Sequence, residues 1–246
     1  MAKTLDKTLM FCYIVNSGCC ITAWLGVILN IMKNMKQIEK IKTWLGTGSI
    51  NIFGIQFSGK DTVGERLAEV LDAEFVSSGD IVRSARKKSD DEQIKKAAKI
   101  TDSGVMMPMD EYKELICSHL RNDAPIDRAL VLSSVGRWIG EEGPVMEALK
   151  EGGHDTKAVI LLKISQEEVF ARWEIVGGSR NDGRVDDINK EKVLRRLDEF
   201  RNKTLPVIDI YRKMGILIEI NGEQSREEVF DEVINKLYDF SRKSTS

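Results

Sequence analysis

The stretch Gly54-Ile-Gln-Phe-Ser-Gly-Lys-Asp-Thr62 constrains this chain more than any other segment. It fits the pattern G-x-x-x-x-G-K. The apolar run Ser49-Ile-Asn-Ile-Phe53 leads into it, and Thr62 to Leu71 leaves it with apolar residues at helical spacing. Strand, glycine loop and helix form the context that turns a short pattern into a phosphate-binding site. The glycines let backbone N–H groups converge on one anion. The helix N-terminus adds a favourable field, and Lys60 supplies a full charge. Gly54, Ser58, Gly59, Lys60, Asp61 and Thr62 are therefore the candidate nucleotide-phosphate contacts. A serine or threonine usually follows the lysine; here Asp61 stands in that place and Thr62 comes one step later.

Beyond the loop, apolar strands alternate with amphipathic helices. Strands are expected at 50–53, 73–76, 128–133, 158–164 and 216–220. Helices are expected at 62–71, 81–99, 110–121, 145–151, 167–173, 190–212 (interrupted near Pro206) and 225–240. Strands separated by helices predict an α/β fold, a parallel sheet covered on both faces. Ligands of such sheets bind beyond the carboxyl ends of the strands, where the Gly54 loop falls.

The net charge of −2 implies no nucleic-acid partner. Cys12, Cys19 and Cys20 crowd the N-terminus without paired C-x-x-C spacing, and Cys117 sits alone on an expected helix, so neither a disulfide framework nor a zinc site is expected. His119 and His154 read as incidental. From Thr8 to Met32 the chain carries no charge, a length that suffices for one bilayer crossing. Asn16, Ser17, Thr22 and Asn30 weaken that reading, and lysines on both sides leave the orientation open. Residues 1–47 hold six lysines and two acidic residues, so the remainder carries −6 of the total −2. A dissimilar apolar leader before an acidic body suits a membrane anchor at residues 9–32 or an over-extended gene start. The second is the favoured expectation, with a cytoplasmic body.

Other segments fall into one order. Ser77-Ser78-Gly79-Asp80-Ile-Val-Arg83 looks like S-T-G-D-x-x-R. Gly104-Val-Met-Met-Pro108, then Asp110-Glu111, looks like G-x-L-V-P-D-E with one extra residue. Leu132-Ser-Ser-Val-Gly136-Arg137 stands where L-D-G-F-P-R belongs, and Gly183-Arg184-Val-Asp186-Asp187 fits G-R-x-D-D. Arg196-Leu197, Phe200, Thr204, Pro206 and Tyr211 follow R-L-x-x-[YF], T-x-P and Y, again with one extra residue. In this order the chain resembles the adenylate kinase group of nucleoside-monophosphate kinases, over about residues 49–240.

The resemblance implies a P-loop NTPase-type three-layer fold with a five-stranded parallel sheet, a helical NMP-binding insertion at about 77–108 and a short lid at about 174–187. It divides the chain into an extension, 1–47, and a kinase domain, 48–246. It implies ATP and a nucleoside monophosphate as substrates, with Mg2+ accompanying ATP. No protein partner is implied, and a monomer is expected. Phosphoryl transfer needs positioning and charge neutralisation more than covalent help. Lys60 would hold the β- and γ-phosphates. Arg83 and Arg137, with Ser78 and Gly79, would grip the acceptor phosphate, because a guanidinium fork bonds two oxygens at once. Arg184 and Arg196 would stabilise the transferring group. Arg172 and Arg180 would complete the ATP side, and Asp186 and Asp187 would orient the lid arginines or hold the closed state. No lid zinc is expected.

Three departures from the family pattern matter. Ser133 replaces the aspartate that helps hold the magnesium-water shell, and Asp61 is a candidate to supply that charge near the metal. The alternative is that Asp61 only favours a helix N-terminus. Gln56 and Phe57 stand where proline and glycine are usual in the loop. Glu141 replaces the glutamine that reads the acceptor base, and a carboxylate only accepts hydrogen bonds. AMP is the first expectation as acceptor. The alternatives are a UMP/CMP-type kinase, a P-loop kinase with another small acceptor, or a catalytically weak nucleotide-binding protein.

Overall fold

The computed structural model describes residues 34–88, 96, 108–176 and 190–244. The apolar segment at 9–32 and most of the expected lid lie outside the described residues. Five strands form the sheet: β1 (Ser49–Gly54), β2 (Glu74–Ser77), β3 (Leu130–Ser133), β4 (Thr156–Lys163) and β5 (Leu217–Asn221). All neighbours pair in parallel, in the order β2-β3-β1-β4-β5. The phosphate loop thus leaves the central strand.

The helices are α1 (34–45), α2 (Lys60–Leu71), α3 (Ser78–Lys88), α4 (Met109–Asn122), α5 (Glu142–Glu151), α6 (Gln166–Val176), α7 (Lys190–Glu199), α8 (Leu205–Lys213) and α9 (Arg226–Lys243). The strands are apolar on both faces because both are covered. Ile50 and Ile52 of β1 pack with Ile160 and Leu162 of β4 under α1, α2 and α9. On the other face, Phe53, Val159 and Leu161 meet Val207, Ile208 and Tyr211 of α8, while Leu130 and Leu132 meet α4 and α5.

Residues 34–47 belong to this body, not to an extension ending at 47. Ile41 and Leu45 of α1 are buried in the core beneath α9. Gln37 Nε2 donates to Asn235 Oδ1 at 3.0 Å. The turn after α1 is fixed by His154, a buried residue whose Nδ1 lies 2.7 Å from the Thr47 carbonyl. His154 is therefore structural rather than incidental.

Two elements differ from expectation. The helix expected from Ile81 begins at Ser78, directly after β2, so Ser78-Gly79-Asp80 is its first turn and not a loop. The interruption expected at Pro206 falls earlier, as a π-helical turn over Phe200–Thr204. A π-turn takes one residue more than an α-helical turn. Pro206 stands in the first turn of α8, where its missing N–H costs nothing.

Candidate active site

The loop from Gly54 to Lys60 wraps the space beyond β1. A Cβ on Gly54 would sit 2.3 Å from the Ser58 hydroxyl, so only glycine allows the loop to fold back over the strand end. Gly59 has φ +84° and caps α2. Phe57 has φ +65°, a left-handed conformation that suits the glycine usual there and strains a side chain. Its ring packs against the buried cluster of Val169 of α6 with Val193 and Leu197 of α7, which ties the loop to these two helices. The Ser58 hydroxyl is buried and has no hydrogen-bond partner among the described residues. A buried donor aimed into a phosphate loop is satisfied when an anion occupies the loop.

At the start of α2, Lys60 Nζ lies 3.6 Å from Asp61 Oδ2. The other oxygen, Asp61 Oδ1, accepts a 2.5 Å hydrogen bond from the buried Ser133 hydroxyl at the end of β3. The two departures from the family pattern are thus in direct contact.

The acceptor side assembles from the ends of β2 and β3. Arg137 donates from Nη2 to the buried Ser78 Oγ at 2.9 Å and from Nε to the Ser134 carbonyl at 3.1 Å. One turn along α3, Arg83 pairs with Asp80 and leans over Gly79. Ser78, Gly79, Arg83 and Arg137 are therefore brought together at one rim of the sheet.

Three residues that build this rim carried no functional reading in the sequence. Asn51, buried in the central strand, donates to the Val135 carbonyl at 2.7 Å and accepts from the Val135 N–H at 3.3 Å. Tyr112 accepts from the Gly136 N–H at 3.2 Å. Burial pushes its phenol up to about 12, so it stays protonated. Ser134 takes φ +53° to start the turn. A polar asparagine inside an apolar strand was the available signal, since a buried amide must find partners.

Two candidates acquire different tasks. Glu141 is buried, and its Oε2 accepts from the Arg137 N–H at 2.6 Å and the Trp138 N–H at 3.1 Å, so it closes the turn that presents Arg137. Burial raises its pKa, opposed by those two N–H groups and by Arg137. Arg172 donates to Glu168 Oε1 at 2.6 Å, to the Phe57 carbonyl at 3.1 Å and to the Gly222 carbonyl at 2.6 Å. It braces the phosphate loop against the β5–α9 connection. Arg196 is half-buried on α7 beside Leu197, whereas Arg195 is exposed. Arg180, Arg184, Asp186 and Asp187 lie outside the described residues.

A parallel sheet with a phosphate loop on its central strand and an arginine-bearing rim beside it defines a P-loop protein built to hold two phosphate-bearing ligands. Comparison with known sequences narrows the class. Residues 52–216 match the profile of the family described as Adenylate kinase. An adenylate kinase of Leptospira biflexa is 31% identical over 180 residues, covering 73% of this chain and 94% of the relative. Adenylate kinase 1 of a Nostoc species is 33% identical over 176 residues, covering 72% and 91%. An adenylate kinase of a Synechococcus species is 29% identical over 185 residues, covering 75% and 93%. The chain belongs to the adenylate kinase family.

Proposed function

We propose that this protein transfers the γ-phosphoryl group of ATP to a nucleoside monophosphate, with AMP as the principal acceptor, giving two molecules of ADP. The observation that carries the reading is the placement of Lys60 and the Ser78–Arg137 pair beyond the carboxyl ends of β1, β2 and β3 of one sheet. Phosphoryl transfer requires donor and acceptor phosphates to meet in line, in a field that neutralises their charge.

In this reading the loop N–H groups, Ser58 and Lys60 hold the ATP phosphates. Gly54, Gly59 and Thr62 give the loop and α2 their form, and Arg172 holds the loop in shape. Arg83 and Arg137 grip the acceptor phosphate. Arg196, with Arg180 and Arg184 of the lid segment, stabilises the transferring group. Mg2+ bound with ATP supplies further charge neutralisation, and it is held largely through phosphates and water, as suits a small hard cation. The hydroxyls and carboxylate of Ser58, Asp61 and Ser133 are oxygens of the kind that accept hydrogen bonds from such a water shell.

The setting in this reading is the cytoplasm and the working form a monomer. The buried free thiol of Cys117 suits a reducing compartment. Among the described residues, no helix is long and apolar enough to cross a membrane.

The test is ADP production by the full chain with Mg-ATP and each of AMP, CMP, UMP, GMP and dTMP. Turnover that depends on AMP is expected. Turnover confined to CMP or UMP would replace the acceptor. Tight ATP binding without any acceptor-dependent turnover would establish a nucleotide-binding protein in place of a kinase.

A further inference from the structure

We propose that the contact between Trp138 and Lys203 joins the acceptor rim to the donor side of the site, and that both are positioning residues for phosphoryl transfer. The inference rests on the kinase reading above. In that reading Arg137 grips the acceptor phosphate and Arg196 stabilises the transferring group. The two arginines stand on separate parts of the fold. Residues 134–141, which carry Arg137, belong to no strand or helix. They are anchored by Asn51 of β1, Tyr112 of α4 and Glu141, which precedes α5. Arg196 stands on α7, whose buried Val193 and Leu197 form with Val169 the cluster on which Phe57 of the phosphate loop packs. By these contacts α7 goes with the ATP side and Arg137 with the sheet rim.

Trp138, next to Arg137, reaches across. Lys203 Nζ lies 4.0 Å from the centre of its ring, within the range of a cation–π contact, and tryptophan is the best ring for one. Lys203 belongs to the π-turn that directly follows α7. Glu199, the last residue of α7, pairs with the same ammonium, its Oε2 2.5 Å from Nζ. The Lys203 and Glu199 side chains are 28% and 17% exposed, so the cation is partly desolvated, which strengthens its attraction to the ring. The Trp138 N–H donates to Glu141 Oε2, the oxygen that also accepts from the Arg137 N–H. A displacement of Trp138 is thus passed directly to Arg137. Donor and acceptor phosphates must meet in line, and a misplacement of about 1 Å can cost about a hundredfold in rate. The simpler role, a surface cation covering a half-exposed ring, contributes to stability alone and predicts no effect on rate.

The test is steady-state kinetics of the full chain with Mg-ATP and AMP, joined to calorimetric ATP binding without AMP. Lys203→Met is expected to lower kcat/KM for AMP about tenfold and to leave ATP affinity within about twofold, since α7 keeps its packing with the phosphate loop. Lys203→Met with Glu199→Gln is expected to behave alike, which removes a stranded carboxylate as the cause. Trp138→Leu is expected to match Lys203→Met, while Trp138→Phe, which keeps a ring, retains most of the rate. Trp138→Leu with Lys203→Met is expected to be no slower than either single variant, because one contact is lost only once. Parental kcat/KM in Lys203→Met, losses that add in the pair, or ATP affinity that falls in step with acceptor kinetics overturns the proposal. A parent without acceptor-dependent turnover overturns the kinase reading and this inference with it. An active parent with additive losses overturns this inference alone, so the two failures are distinguishable.

Discussion

Phe57 offers the sharpest test of how the phosphate loop is held. Its backbone lies at φ +65°, where an L-residue is disfavoured by about 1–2 kcal/mol and glycine is at ease. Its half-buried ring packs on the cluster of Val169, Val193 and Leu197. Full burial of a phenylalanine contributes about 1.5–3 kcal/mol, so a half-buried ring contributes about 1–2 kcal/mol. Phe57→Ala removes the ring and keeps the strain, and is expected to cost about 1–2 kcal/mol. Phe57→Gly removes both and adds the entropy of glycine in the unfolded chain, about 0.5–1 kcal/mol. It is therefore expected to be more stable than Phe57→Ala by about 0.5–1 kcal/mol. At an ordinary position the order is the reverse. Urea denaturation, with midpoint and slope fitted for both variants, measures the difference. An alanine variant as stable as the glycine variant, or more so, would refute the claim that the loop is strained at this residue.

Other expectations follow from the rim and the brace. Asn51→Ala leaves the Val135 N–H and C=O without their side-chain partner, and should cost about 2–4 kcal/mol in denaturant unfolding and raise the KM for AMP more than that for ATP. Arg172→Ala removes three hydrogen bonds from a partly exposed guanidinium, and should cost about 1–3 kcal/mol and weaken ATP binding measured by calorimetry. The raised pKa of Glu141 means that the folded state holds its proton more firmly than the unfolded one. Its ionisation therefore lowers stability as pH rises from the unfolded carboxylate value through the raised folded value. Melting temperatures of Glu141→Gln and the parent, compared from pH 4 to pH 8, should show the variant gaining on the parent as pH rises; a constant difference would contradict this.

The strands and the phosphate loop were legible because the physics that forms them is local. A run apolar at every position, such as Val159 to Leu162, is what a strand buried on both faces requires. The loop announced itself through glycines that nothing else can replace, as the contact between Gly54 and Ser58 shows. Arg83 and Arg137 were legible by order in the chain, and the fold brings both to one rim. The supports were not. Glu141 and Arg172 read as ligand contacts because a charged residue in a functional segment invites that reading, and only three-dimensional contact shows that Glu141 Oε2 also accepts from the Arg137 and Trp138 N–H groups and that Arg172 also donates to the Phe57 and Gly222 carbonyls. Asn51 read as one more strand position, since its partners lie across the sheet in a loop far along the chain. The start of the body was misjudged for a similar reason. The stripe on α1 that meets the core is short, and its partners on α9 come near the other end of the chain.

The choice between Arg195 and Arg196 turns on the same kind of geometry. Val193 and Leu197 are four residues apart and mark the buried stripe of α7. At about 100° per residue, Arg196 lies roughly 60° to 100° from these two, at the edge of the stripe, while Arg195 lies about 160° to 200° from both. The burial of the two residues follows: one half-buried, the other exposed. The π-turn of Phe200–Thr204, which takes one residue more than an α-helical turn, comes after Arg196. Its consequence falls downstream. Carried through as ordinary α-helix, one added residue would turn Val207, Ile208 and Tyr211 by about 100° away from Phe53, stripping the central strand of its cover. The π-turn prevents that rotation. It also holds Lys203, whose Nζ sits 4.0 Å from the centre of the Trp138 ring beside Arg137. A helix interrupted in this way keeps the core on one side in register and ties the acceptor rim to the helix that carries Arg196.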